Sequence, residues 1–139
     1  MVATVTARAE DGTTTVEYAS TPGPTIVYQR DQDLNILRRG GVRYAPCERL
    51  FDFPLAVGKS WSARFQAFDG SSVRAIDHDL SARVAAIEEV DVPAGHYTAF
   101  RVEVHDLWTP HVTDFQVGIA SFARTNVVYW YAPPATPGA

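Results

Sequence analysis

The sequence predicts an all-β protein: a single antiparallel meander that forms a curved sheet, a half-barrel or a barrel, with a β-sandwich as the alternative. Three observations favour this fold. Apolar and polar residues alternate with a period of two in many short segments, and turn-forming dipeptides such as Asp69-Gly70 separate those segments. In addition, no segment carries a convincing amphipathic-helix pattern. The 139 residues are enough for one domain with its own apolar core.

Five short strands are predicted in the first part of the chain. β-branched residues dominate the first two, which flank the turn Asp11-Gly12, and Gly40-Gly41 turns the chain into the fifth. These predicted strands are residues 2–7, 13–18, 25–29, 34–37 and 42–44.

The clearest alternation begins at Trp61. Apolar side chains at every second position from Trp61 to Ala67 predict a strand with one face in the core and the other in water. The Asp69-Gly70 turn follows at once, and residues 71–76 are predicted to return as the neighbouring strand.

A long strand comes next, and it is predicted to end at Pro93 because proline donates no hydrogen bond to a sheet. Four of its apolar residues are predicted to share one face: Val84, Ala86, Val90 and Val92. The remaining predicted strands are residues 100–105, 115–119 and 127–131. The single β-domain is expected to cover residues 1–132, and the proline-rich residues 133–139 are expected to be a flexible tail.

Composition excludes several classes of function and of site. The net charge of −4 argues against nucleic-acid binding, which needs a basic surface. Cys47 is the single cysteine, so the chain has neither an internal disulfide nor a cysteine-based metal cluster. No apolar run reaches the ~18 residues of a transmembrane helix. The first ten residues do not resemble a signal peptide, which predicts a cytoplasmic protein unless a signal has been removed.

Three segments carry recognisable motifs: FPLAVGKSW at residues 53–61, EEVDVPAGHYTAFRVEV at residues 88–104 and YWYAP at residues 129–133. This layout resembles that of poorly characterised bacterial envelope and secreted β-domains, over residues 50–133. The resemblance implies a curved antiparallel sheet, half-barrel-like as in lipoprotein carriers, and a periplasmic or secreted location. It implies no known activity. Relatives continue past YWYAP with a glycine-containing turn and a final strand, whereas this chain continues into its proline-rich tail.

The histidines do not form a compact ligand set. His78 lies between two aspartates, but adjacent strand residues point to opposite faces, so the three side chains do not converge. His105 and His111 approach each other if their segments pair as a hairpin, which would suit a metal or a pH-sensitive role. Zinc usually needs three or four converging ligands, and the sequence therefore predicts no metal site and no cofactor.

No catalytic residue is predicted. No serine lies in a nucleophile-elbow context, and Cys47 has an arginine but no histidine near it in sequence.

Aromatic residues suggest a ligand site instead. They make up 12% of the chain, and those on the concave side of a curved sheet would line an apolar site. The alternative is that they only fill the core. The candidate ligand-binding residues are Trp61, Phe65, Phe100, Trp108, Phe115 and Trp130.

Together these patterns favour a non-enzymatic binding or structural domain of the bacterial envelope that holds an apolar small molecule or lipid on a concave sheet face. Two alternatives remain open. One is a small β-barrel hydrolase or lyase, which would require His105, His111 and an acid to face one cavity. The other is a homodimerising assembly module that pairs through residues 127–131, where three consecutive aromatics predict an exposed patch.

Overall fold

A computed structural model describes residues 2–19, 22–69, 75–110 and 123–134, and in these ranges the chain forms nine β-strands and no helix. Accordingly, none of these residues belongs to a helix that could cross a membrane. The strands are β1 (Val2–Arg8), β2 (Thr14–Ala19), β3 (Ile26–Arg30), β4 (Ile36–Arg39), β5 (Val42–Glu48), β6 (Ser60–Asp69), β7 (Ala75–Val92), β8 (Gly95–Pro110) and β9 (Ala123–Tyr131).

Each strand pairs antiparallel with the next one in sequence, which gives a single sheet in the order β1 to β9. The predicted all-β meander is therefore confirmed, and the sheet is open because β1 and β9 do not pair with each other. The predicted strand at residues 115–119 and the end of the predicted tail lie outside the described residues. β7 joins residues 75–76, which end one predicted strand, to the predicted long strand that follows. The two are continuous because buried side chains alternate with exposed ones at Leu80 and Ala82, between the two predicted segments.

The core lies on the concave face of the sheet. Alternate side chains of β6, β7 and β8 are buried there, as the period of two predicts. Ile36 of β4 and Tyr44 of β5 join the same cluster, so the sheet curls until its two halves share one core. The buried members from the three central strands are Phe65, Ala67, Leu80, Ala82, Val84, Val102 and Val104.

One predicted face is wrong. A β-bulge shifts the register of β7, so that Val84 pairs with Val102 whereas Ala86 pairs with Arg101. The extra residue, Ala85, reverses the alternation, and Val84 no longer shares a face with the apolar residues that follow it. Beyond the bulge, residues 86–99 of β7 and β8 project largely as a two-stranded ribbon, since β6 pairs with β7 only up to Arg83.

The connection between β5 and β6 closes the gap between the two halves of the curled sheet. Phe51 and Phe53 stack on each other, and Phe53 also contacts the ring of Tyr131 on β9 at 5.0 Å between centroids. The backbone N–H of Phe51 donates to Asn35 Oδ1 at 2.9 Å, which fixes the connection to the residue just before β4. The FPLAVGKSW and YWYAP motifs thus meet through Phe53 and Tyr131.

Candidate functional site

A cavity of about 230 Å³ lies on the concave face, between β4–β5 on one side and β7–β9 on the other. Its wall combines apolar and aromatic side chains with four acidic or basic ones. The apolar and aromatic members are Tyr44, Leu50, Leu80, Val104, Trp108, Val127 and Tyr129. The acidic and basic members are Arg39, Glu48, His78 and Asp106, and Thr125 completes the lining.

The first polar pair is His78 with Asp106. His78 Nδ1 and Asp106 Oδ2 are 2.7 Å apart, and each side chain is only 12% exposed. His78 lies two residues before the buried Leu80 on β7, and Asp106 lies two residues after the buried Val104 on β8. Because every second side chain of a strand points to the same face, both His78 and Asp106 face the core. The carboxylate therefore fixes the orientation of the imidazole, which is how an acid commonly prepares a histidine to bind or to transfer a proton.

Aromatic rings hold His78 on both faces. Phe65 stacks on the imidazole at 4.7 Å and Trp108 stacks on its other side at 5.9 Å, in agreement with the register that pairs His78 with both residues. Tyr44 contacts the ring edge-on at 6.5 Å. The imidazole consequently has little freedom to rotate.

The second polar pair is Arg39 with Glu48. Arg39 Nη2 donates to Glu48 Oε1 at 2.7 Å, and the guanidinium lies 5.4 Å from the ring centre of Tyr28. Burial, the largest single influence, lowers the pKa of Arg39, but the charge of Glu48 and the nearby tyrosines together outweigh it and the pKa is raised. Arg39 also lies near Tyr129 and acts to lower the pKa of its hydroxyl, although burial raises that pKa overall. The guanidinium thus links both walls of the cavity.

Burial also perturbs the acids of this site. It raises the pKa of Glu48, an effect that Arg39 opposes and the negative charge of Asp106 reinforces. The pKa of Tyr44 rises to about 12, chiefly through burial and then through the charge of Glu48. Two carboxylates that sense each other in a low-dielectric cavity form an arrangement typical of functional sites.

Two residues that line the cavity carry unpaired polar atoms. Asp106 Oδ1 and Arg39 Nε are both buried, and neither has a hydrogen-bond partner among the described residues. An unsatisfied buried polar atom costs about 1–3 kcal/mol, and more when it belongs to a charged group, so such atoms call for an explanation.

The predicted ligand-binding residues lie in different places. Trp108 lines the cavity, and Phe65 lies behind His78 without lining it. Trp61 and Phe100 pack against the core at its margin. Trp130 is 50% exposed and pairs with Arg101 on the opposite, convex face. Phe115 lies outside the described residues.

Of the two histidines singled out for an enzymatic site, the described one, His105, does not line the cavity. His105 is exposed on the convex face, where its Nδ1 lies 2.5 Å from Asn126 Oδ1, and His111 is outside the described ranges. Cys47 is half-buried, and burial raises the pKa of its thiol. Sequence reasoning missed the pair of His78 and Asp106, although their parity with neighbouring core residues was a usable signal.

Within the described part of the chain, no three side chains of His, Cys, Asp or Glu are grouped as a metal site would require. Comparisons of the whole chain with protein-family models, with curated proteins and with solved structures each find no match.

Proposed function

We propose that this protein is a binding domain whose concave cavity holds a small organic molecule. The observation that carries this proposal is a cavity of about 230 Å³ lined by Asp106, whose buried Oδ1 has no hydrogen-bond partner among the described residues. Largely preformed cavities that combine apolar walls with a few polar groups are the usual form of small-molecule sites. The motif resemblance to bacterial envelope domains supports a role in that compartment.

Preorganisation supports binding. His78 is held by Asp106 and by two stacked rings, and Arg39 is held by Glu48 and Tyr28. Groups that are already fixed lose little entropy when a ligand arrives, so the binding free energy is not consumed in ordering them. The size of the cavity favours a compact ligand over a long acyl chain.

Fragment screening by NMR tests this proposal. Thr125 on β9 lines the cavity, whereas its neighbour Asn126 faces the convex side with His105. Thr125→Trp should fill the cavity and abolish fragment binding, and Asn126→Trp should leave binding intact. We expect fragments to shift the backbone amide signals of His78 and Trp108. Fragments that bind equally well to Thr125→Trp, or that shift only signals from the convex face, would contradict the proposal.

A second candidate is an enzyme that transfers protons, such as a lyase. The specific observation that favours it is the convergence of a histidine and an acid in one cavity, with His78 Nδ1 held at 2.7 Å from Asp106. A bound carbon acid would then exchange its acidic hydrogen for deuterium in heavy water. We expect His78→Gln to abolish such exchange while leaving binding measurable. Exchange at an unchanged rate in His78→Gln would eliminate this candidate.

A further inference from the structure

The charges that line the cavity favour a cation. Among the described residues of the wall, Arg39 is the one permanently positive group, and Glu48 and Asp106 are both carboxylates. With a neutral His78 these groups give a net charge of −1, and a protonated His78 would bring the net charge only to zero. The guanidinium is also already paired with Glu48. An anionic ligand would therefore find no uncompensated positive charge.

The unpaired carboxylate oxygen requires a donor. Asp106 Oδ2 is occupied by His78, whereas the buried Oδ1 accepts no hydrogen bond from the described residues. A charge-assisted hydrogen bond from an ammonium group is about twice as strong as one between neutral groups, so an N⁺–H donor would satisfy this oxygen best.

Aromatic side chains line the same cavity. Tyr44, Trp108 and Tyr129 contribute to its wall. The negative face of an aromatic ring attracts a cation, and a site that combines several rings with a carboxylate is typical of ammonium recognition. Leu80 and Val127 add apolar surface for the body of the ligand.

We propose that the ligand is a small organic ammonium ion that pairs with the carboxylate of Asp106 and lies between the aromatic and apolar walls. This inference rests on the proposed binding function and specifies the class of ligand.

Three probes of similar shape and different charge test the inference on the full chain: benzylamine, benzyl alcohol and benzoate, titrated at neutral pH by calorimetry and by NMR. We expect benzylamine, which is then an ammonium ion, to bind about tenfold more tightly than benzyl alcohol, and benzoate to bind least. Equal binding of benzylamine and benzyl alcohol in the cavity would overturn the inference and leave the binding function intact. Binding of none of the three would instead count against the binding function itself.

Asp106→Asn should abolish the preference for benzylamine over benzyl alcohol, because it removes the negative charge but retains an acceptor oxygen. Asp79→Asn is the matched control, since Asp79 is an exposed aspartate on the convex face of β7. If Asp106→Asn does not fold, Trp108→Leu is the deciding variant: it should weaken the binding of benzylamine several-fold more than the binding of benzyl alcohol. A preference that survives in the folded variant overturns the inference.

Discussion

Removal of the guanidinium of Arg39 should destabilise the protein in a pH-dependent way. In Arg39→Met the side chain keeps its approximate length but loses its charge, and Glu48, whose side chain is 9% exposed, loses its cation. Breaking a fully buried pair by removing one partner costs about 3–5 kcal/mol. Arg39 is 35% exposed and water can partly replace it, so we expect a loss of about 2 kcal/mol at neutral pH.

The dependence on pH follows from Glu48. Burial raises its pKa in the folded state, and Arg39 opposes that rise, so the pKa climbs further in Arg39→Met. Because the folded state then binds the proton more tightly than the unfolded state, the folded state gains stability as the pH falls through the folded pKa of Glu48. The difference in the free energy of unfolding between the native protein and Arg39→Met should therefore be smaller in mildly acidic solution.

Urea unfolding at neutral and at mildly acidic pH measures this effect, with an unchanged m-value as the check on two-state behaviour. The double variant Arg39→Met with Glu48→Gln is the control, because it removes the Glu48 carboxylate that Arg39→Met leaves without a cation. It should recover most of the lost free energy of unfolding. A loss that is identical at both pH values, or a double variant as unstable as the two single losses added together, would refute the reasoning.

Three further predictions concern other parts of the fold. Trp61→Ala should cost about 3 kcal/mol in urea unfolding, because the ring packs against the core and its Nε1–H donates to the carbonyl of Arg49; an unchanged midpoint would show that Trp61 is peripheral. Hydrogen bonds that His96 donates to Asp91 and then to Glu89 raise its pKa, so this contact stabilises the projecting ribbon at low pH, and the stabilisation is lost as the pH rises through the folded pKa of His96; Asp91→Asn should lower the pKa of His96 measured by NMR titration. Exposed Trp130 on edge strand β9 should support a homodimer that Trp130→Glu weakens in sedimentation experiments, and a monomer at high concentration would exclude it.

The period of two in the sequence was sufficient to predict most of the sheet. Every described strand overlaps a segment predicted from alternation and turn residues, although β7 joins two predicted segments and β8 extends well beyond residues 100–105. The prediction succeeds because apolar and polar residues alternate along an antiparallel strand that has one face in the core and the other in water. The β-bulge after Val84 could not be predicted in the same way. Ala85 and Ala86 are small and apolar, and either can occupy either face, so the sequence does not mark the residue at which the register changes.

The candidate site was only partly predictable. Parity places His78 and Asp106 on the core face, and this local signal was available. The approach of Arg39 to Tyr129 was not, because it depends on how far the sheet curls between strands that are distant in sequence. The described aromatic residues among those expected on one concave surface are divided between the cavity, the core margin and the convex face for the same reason.

The ring contact between Phe53 and Tyr131, which bridges the two halves of the sheet, has a consequence for the order of folding. Neighbouring strands close short loops, so their pairing is entropically inexpensive, whereas this bridge joins the middle of the chain to its last strand. The cavity needs Arg39 on one wall and Tyr129 on the other, and it is complete only after that late contact has formed. A molecule bound there would therefore stabilise the native state without assisting the earlier hairpins, and it would act by slowing unfolding.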